Sequence, residues 1–267
     1  MIESLKMNIN NNVTRHIQIK PKIEIKENPF VSIILTLYEI KKEYLQTCLD
    51  TILNQTYQNI EIIAIDDCSP TQNYEWITEL SDKIKLYRNE VNLGMNKNVN
   101  KAFSLATGDY IVRLGSDDYY SPILIEKEVN YLRTHLMKGA VCCELLRFGK
   151  TYQYIKRPLV WDLKNIVRKK QYAGTGYAGG MMFKRELLET CSIDESFGMC
   201  EDFDFHLQIL EHTGIGSINE PLYFYRSHET NICKNFTREE RYAILDRIIE
   251  KHSKVLTKDK IKHDRLM

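Results

Sequence analysis

The chain has 267 residues, 43% of them hydrophobic, with a formal net charge of +1. That length suits one large domain or two small ones, the apolar content fills an ordinary core, and the charge gives no electrostatic case for nucleic acid. No apolar run approaches the roughly 18 residues needed to span a bilayer, and residues 1–12 lack the apolar stretch of a secretory signal. The seven cysteines are scattered without a Cys-x-x-Cys pair, which argues against a zinc site and for free thiols in a reducing cytosol.

Residues 1–28 are polar, with Ile17, Ile19, Ile23 and Ile25 in a weak two-residue alternation, and read as an N-terminal extension that contributes at most an edge strand. From Pro29 the pattern sharpens. Val31 to Leu37 is a first strand, and Leu45, Cys48, Leu49, Ile52 and Leu53 form one helix face. Ile60 to Ile65 is a second strand, Tyr74 to Leu80 a short helix and Ile84 to Tyr87 a third strand. Val99, Ala102, Phe103 and Ala106 make a helical stripe with Gly108 as its C-cap, and Asp109 to Leu114 is a fourth strand. This alternation predicts an α/β fold with a mostly parallel sheet and helices on both faces.

Ser121-Pro122 reads as an N-cap and first-turn proline for a helix carrying Ile125, Val129, Leu132 and Leu136. Val141 to Phe148 and Met181 to Phe183 read as strands, and residues 150–180 are irregular. Phe203, Leu207 and Leu210 mark a helix that stops at Gly214. Thr237 and Glu240 form a capping box at the head of an amphipathic C-terminal helix with Leu245, Ile248, Ile249 and Leu256. The expected division is an extension over 1–28, one catalytic domain over 29–232, and a helix with a basic tail over 233–267. That tail is either a solvated face or a contact with anionic lipid.

Two apolar runs end abruptly in carboxylates: Ile62 to Ile65 before Asp66-Asp67, and Tyr110 to Leu114 before Gly115-Ser116-Asp117-Asp118. Ligands of open α/β sheets bind at such carboxyl ends. Asp117 and Asp118 suit a divalent metal on a phosphate-bearing ligand, or else a simple turn. Asp66 and Asp67 suit the N–H edge of a base, and Ser69-Pro70 behind them suits a turn; the two readings are compatible. Glu201-Asp202-Phe203-Asp204 either complements a helix dipole or supplies a general base. Gly174 to Gly179 matches G-x-G-x-x-G but lacks the strand before and helix after that a dinucleotide site needs, and reads better as a loop bordering a substrate. His228, after an aromatic run, is a structural hydrogen bonder or a metal ligand.

These pieces resemble a family 2 glycosyltransferase of the GT-A fold. The resemblance rests on Val31 to Tyr38, on Leu53-Asn54-Gln55-Thr56-Tyr57 leading to Asp66-Asp67-Cys68-Ser69, and on Asn92-Leu93-Gly94 with Asn100. It continues through Ala106-Thr107-Gly108-Asp109, Gly180 to Phe183 and Glu201-Asp202, covering about residues 30–230. It implies inverting transfer of a sugar from a nucleoside-diphosphate sugar, UDP-sugars favoured, to a hydroxyl acceptor in glycan, capsule, lipopolysaccharide or glycolipid synthesis. The enzyme is expected to be metal-dependent and hexosyltransferase-like, using Mg²⁺ or Mn²⁺. It is expected on the cytoplasmic side, peripheral on the membrane if the tail binds lipid.

By position, Thr36, Tyr38 and Asp67 would contact the nucleoside, while Asn92, Gly94, Asn100, Arg113 and Ser116 would line the donor. Asp117, with Asp118 and His228, would hold the metal, and Asp202 would be the base. One position departs from the pattern: Gly115 stands where the first aspartate of D-x-D belongs. Ser116 or Asp118 compensates, or metal affinity, donor or activity differs. The alternatives are a nucleotidyltransferase, disfavoured because Thr36 to Glu39 replaces a glycine-rich loop, and a non-catalytic nucleotide-sugar-binding subunit.

Overall fold

The computed structural model describes residues 26–157, 161, 180–229, 231 and 237–263, with side chains as far as Ser253. Strands β1 (Val31–Leu37), β2 (Ile60–Asp66), β3 (Ile84–Arg88) and β4 (Tyr110–Arg113) pair in parallel in the order β3-β2-β1-β4. The central strands are apolar almost throughout because both sheet faces are covered. Helix α1 (Lys42–Leu53) packs Leu45, Leu49 and Ile52 against Ile33, Leu35, Ile62 and Ala64 on one face. Helix α2 (Met95–Leu105) packs Val99, Ala102 and Phe103 against Ile34, Ile63, Ile65 and Ile111 on the other. The alternation of side chains along β1 and β2 sorts these residues into two cores.

Beyond β4 the sheet changes character. β8 (Met181–Lys184) lies antiparallel between β4 and the long β6 (Lys138–Gly149), and β9 (Gly214–Ser227) runs parallel to β6. The short strands β5 (Tyr119–Tyr120) and β7 (Gln153–Ile155) pair antiparallel with β9 and β6. The path is β3-β2-β1-β4-β8-β6-β9-β5. Helices α3 (Leu124–Thr134), α4 (Glu201–His212) and α5 (Arg238–His263) complete the covering layers. This is the expected α/β sheet flanked by helices, with β8 inverted inside it. No helix among the described residues is long and apolar enough to cross a membrane.

Several local readings are corrected. Gly108 is not a C-cap, since α2 ends at Leu105 with Ala106 extended. Its glycine is needed because β1 passes so close that a Cβ would lie 2.5 Å from the Ser32 backbone nitrogen. Ser121-Pro122 precedes α3 without capping it. Gln55, from the end of α1, does that work: its Oε1 accepts the Ile125 N–H at 3.0 Å and its Nε2 donates to the Ser121 carbonyl at 2.7 Å. The predicted Tyr74–Leu80 helix is a 3₁₀ turn over Glu75–Glu79. The capping box forms as expected: Glu240 accepts the Thr237 N–H at 2.7 Å, and Thr237 Oγ accepts the Glu240 N–H at 3.2 Å. The Gly174 to Gly179 segment lies outside the described residues.

Candidate active site

The carboxyl ends of β1, β2 and β4 are sewn together by main-chain contacts. Asp67 N donates to Leu37 O at 2.9 Å, Leu114 N to Ile34 O at 3.1 Å, and Ser116 Oγ to Thr36 O at 2.9 Å. Ser116 is therefore buried support for the β1 end, and Tyr38, 49% exposed, extends beyond it. From the other side, Arg113 Nη1 reaches Glu201 Oε1 at 3.0 Å and draws the first turn of α4 to the end of β4. Two acidic strand ends and an acidic helix start thus share one edge of the sheet.

The two acids after β2 do different jobs. Asp66 closes the turn: its Oδ1 accepts the Ser69 N–H at 3.0 Å, and its other oxygen pairs with Arg88. Cys68, at φ 59°, reverses the chain. Asp67 holds the loop after β3, accepting from Leu93 N at 2.7 Å, Gly94 N at 2.8 Å and Asn89 Nδ2 at 2.9 Å. Burial alone would raise its pKa, but these donors together with Asn98 hold it below the usual carboxylate value. Gly94 takes φ 84°, a left-handed conformation that favours glycine, and Asn92 Oδ1 accepts its N–H at 3.2 Å. Asn100, expected on the donor, is a clamp in this structure. Its Nδ2 donates to Ile193 O at 2.9 Å and Glu195 Oε1 at 3.0 Å, and its Oδ1 accepts the Ile193 N–H at 3.0 Å.

The second strand end explains the missing aspartate. Asp118, expected beside Asp117 on a metal, turns inward and is 2% exposed. It accepts the Tyr223 hydroxyl, and Arg226 N–H at 2.6 Å. Burial, reinforced by neighbouring Asp117, pushes its pKa well above the usual range. A Cβ on Gly115 would lie 2.3 Å from Asp118 Oδ2 and 3.0 Å from Tyr223 Oη. The buried Asp118–Tyr223 pair occupies the room that a side chain at position 115 requires.

Asp117 faces outward, its Oδ2 at 2.7 Å from His228 Nε2, the two side chains 21% and 17% exposed. Among the described residues no cluster of three or more His, Cys, Asp or Glu side chains is arranged to hold a metal ion. Asp117 and His228 fit a divalent cation that takes most of its ligands from a diphosphate and water. Asp118 does not fit, because both its oxygens are engaged in the interior.

At the head of α4, Glu201 and Asp204 are turned to buried or half-buried partners. Glu201 is buried on Arg113, and Asp204 is buried against His252 at 2.9 Å, Lys251 at 2.9 Å and Gln208 at 2.6 Å. Burial raises the Glu201 pKa against the opposing pull of Arg113. Asp202 is half-buried beside Arg113, Met181 and Phe205, with its Oδ1 accepting the Phe203 N–H at 2.8 Å. The sequence reading missed Tyr223 and Arg226, which bond Asp118 and Asp117, and Tyr44, which packs on Arg226 and His228. The aromatic run before His228 was the visible signal for Tyr223 and Arg226.

The profile described as glycosyl transferase family 2 matches residues 32–192, more than half of the chain. The chain belongs to this family. It is 28% identical over 217 residues to an uncharacterized glycosyltransferase of Haemophilus influenzae, covering 80% of this chain and 58% of that one. It is 34% identical over 130 residues to the putative glycosyltransferase EpsE of Bacillus subtilis, covering 47% of this chain and 46% of that one. The chain thus spans about half the length of these relatives. Among solved structures, S. aureus TarS 1-349 in complex with UDP-GlcNAc superposes with a TM-score of 0.69 at 18% identity, covering 82% of this chain and 65% of TarS 1-349. That likeness establishes the shared fold.

Proposed function

We propose that this family 2 member transfers a glycosyl group from a nucleoside-diphosphate sugar to a hydroxyl acceptor with inversion. The observation that carries the reading is the Arg113–Glu201 pair, which sets Asp202 at the same sheet edge as Asp117. Asp67 stays ionised and orients the Leu93-Gly94 loop that borders the donor side. Binding of UDP-GlcNAc by TarS supports a nucleotide-sugar donor. Asp202 takes the acceptor hydroxyl proton as that oxygen attacks the anomeric carbon from the face opposite the leaving diphosphate. A single carboxylate acting as the base suits a single displacement. Mg²⁺ or Mn²⁺ held by Asp117 and His228 would neutralise charge on the leaving group.

The test is a donor-turnover assay over a panel of nucleotide sugars and hydroxyl acceptors with Mn²⁺. Asp202→Asn and Asp117→Ala are each expected to lose on the order of 10²-fold in kcat. Near-normal turnover in both would overturn the assignment. Release of nucleoside diphosphate supports glycosyl transfer, pyrophosphate would point to nucleotidyl transfer, and binding without turnover would mark a donor-binding subunit.

A further inference from the structure

Beside the candidate base lies a small cavity of about 20 Å³. Three phenylalanines line it, Phe103 from α2, Phe183 from β8 and Phe205 from α4, with ring centroids 5.2 to 5.8 Å apart. Phe183 meets the other two edge to face, a preferred packing that fixes the shape of the space. Met181 and Ile193 complete the apolar wall. These five side chains are buried, as is His206, one helical turn after Asp202. The two half-buried residues of the lining are Arg113 and Asp202, so the cavity opens between them, at the sheet edge.

The lining decides what can enter. Burial, helped by the charge of Arg157, depresses the His206 pKa to about 3, so its imidazole is neutral in ordinary buffers. The Arg113 fork is turned to Glu201 Oε1 and Met95 Sδ, each at 3.0 Å. A polar guest would exchange water for aromatic carbon, at a cost. An apolar cavity of this kind stays dry and takes an apolar guest. Its volume holds one water-sized group, and a methyl is the sugar substituent nearest to that size. Most voids in a core are packing faults that cost stability. This one differs in touching the residue that the proposed reaction uses as its base.

We infer that the cavity seats a methyl group of a sugar substrate, the acetamido methyl of a hexosamine or the terminal methyl of a 6-deoxyhexose. The inference rests on the donor reading above, because that reading brings both sugars to Asp202. Ile193 is then a specificity residue. Asn100 clamps its backbone N–H and carbonyl, so its side chain can be exchanged while the chain stays in place.

The test is turnover, with Mn²⁺, of matched substrates that differ by one methyl: N-acetyl against N-formyl hexosamine, and 6-deoxyhexose against pentose. Each pair is offered once as nucleoside-diphosphate sugar donors and once as acceptors, which assigns the methyl to one substrate. Wild type should prefer the methyl-bearing member in one arm by about tenfold or more in kcat/KM, the scale of one carbon in a fitted apolar pocket. Ile193→Phe fills the space and should bring that ratio close to one. Ile193→Ala enlarges it and should shift preference toward the homologue one carbon longer; it also serves if the phenylalanine variant does not fold. Wild-type indifference to the methyl in both arms, or a preference that survives Ile193→Phe in a folded variant, would overturn the inference. Either result would mark the cavity as a packing void and leave the donor reading standing. A wild-type protein that turns over no member of a broad nucleotide-sugar panel would overturn both.

Discussion

In the parallel half, donors outweigh burial at the carboxylates Glu61 and Asp67; past β4, burial outweighs the partners of Asp118 and Glu201, and Glu128 has no hydrogen-bond partner among the described residues. Glu61, on β2, accepts Ser32 Oγ at 2.6 Å, Thr107 N at 2.9 Å, Thr107 Oγ at 2.8 Å and Lys85 Nζ at 2.7 Å. Burial works to raise its pKa, yet these partners bring it down to about 2. Asp67 is held low in the same way by the Leu93 and Gly94 amides. Past β4, burial wins: Asp118 and Glu128 are raised well above the ordinary range, and Glu201 is raised despite Arg113. Loops at parallel strand ends present unpaired backbone N–H groups, so an acid placed there becomes a preorganised anion. An acid buried by long-range packing is stable only if protonated or given a dedicated partner.

The largest break in this contrast should come at Gly115. Restoring the D-x-D carboxylate as Gly115→Asp puts a Cβ 2.3 Å from Asp118 Oδ2 and a second acid into a donor-poor site. Overpacking of this kind costs about 1–3 kcal/mol before any charge repulsion. Denaturant unfolding should show at least that loss, and nucleoside-diphosphate binding should weaken rather than improve. Gly115→Asp combined with Asp118→Gly should recover part of it, because the two positions compete for one space. A stable, tighter-binding Gly115→Asp single variant would refute the steric account.

Glu128 offers the next effect. It is fully buried on α3, and neither carboxylate oxygen has a hydrogen-bond partner. An unsatisfied buried polar group of this sort costs about 1–3 kcal/mol. Glu128→Met, similar in volume and apolar, should raise the urea midpoint at neutral pH by a comparable free energy. The same exchange at Glu61, where every contact is a donor, should destabilise by a similar amount. Opposite signs at the two sites sharpen the contrast; equal signs would dissolve it.

The contrast also marks what could be read from the chain alone. β1, β2 and β4, and the acidic ends of β2 and β4, were legible because each strand is a largely apolar run stopped by a turn, a local signal. The two cores were legible from periodicity for the same reason. Which acids face inward was not. Asp118 meets Tyr223 and Arg226 from more than a hundred residues away, and a period of two or 3.6 carries no information about such partners. Asn100 shows the same limit: its place near the donor loop was visible, but its grip on Ile193 was set by tertiary packing. Gln55 reads as a helix-end polar residue, and only the fold makes it the cap of α3.

The smallest expected effect is a pH dependence at the α4–α5 contact. His252 is 2% exposed, with Nδ1 at 2.6 Å from Glu211 and Nε2 at 2.9 Å from Asp204; Lys251 bridges Asp204 and Asp194 beside it. Burial alone would lower the His252 pKa, but the hydrogen bonds and charges of Asp204 and Glu211 raise it above the ordinary histidine value of 6.5. A group whose folded pKa is raised stabilises the fold fully below its unfolded pKa, and that contribution fades as pH climbs through the folded value. The attachment of α5 should therefore be firmest below about pH 6.5 and loosen toward alkaline pH. Hydrogen exchange in residues 244–252, followed between pH 5.5 and 9, should show protection declining beyond the intrinsic exchange trend. His252→Gln should flatten that decline, shifting stability by about 1 kcal/mol, the size of a charge-assisted contact in part-buried surroundings. Carboxylates held low by donor partners, such as Glu61, have already finished titrating over this range. A slope that survives His252→Gln would overturn the assignment to the imidazole, because Lys251, the other cation facing Asp204, is raised above its ordinary 10.5 and stays charged over this range.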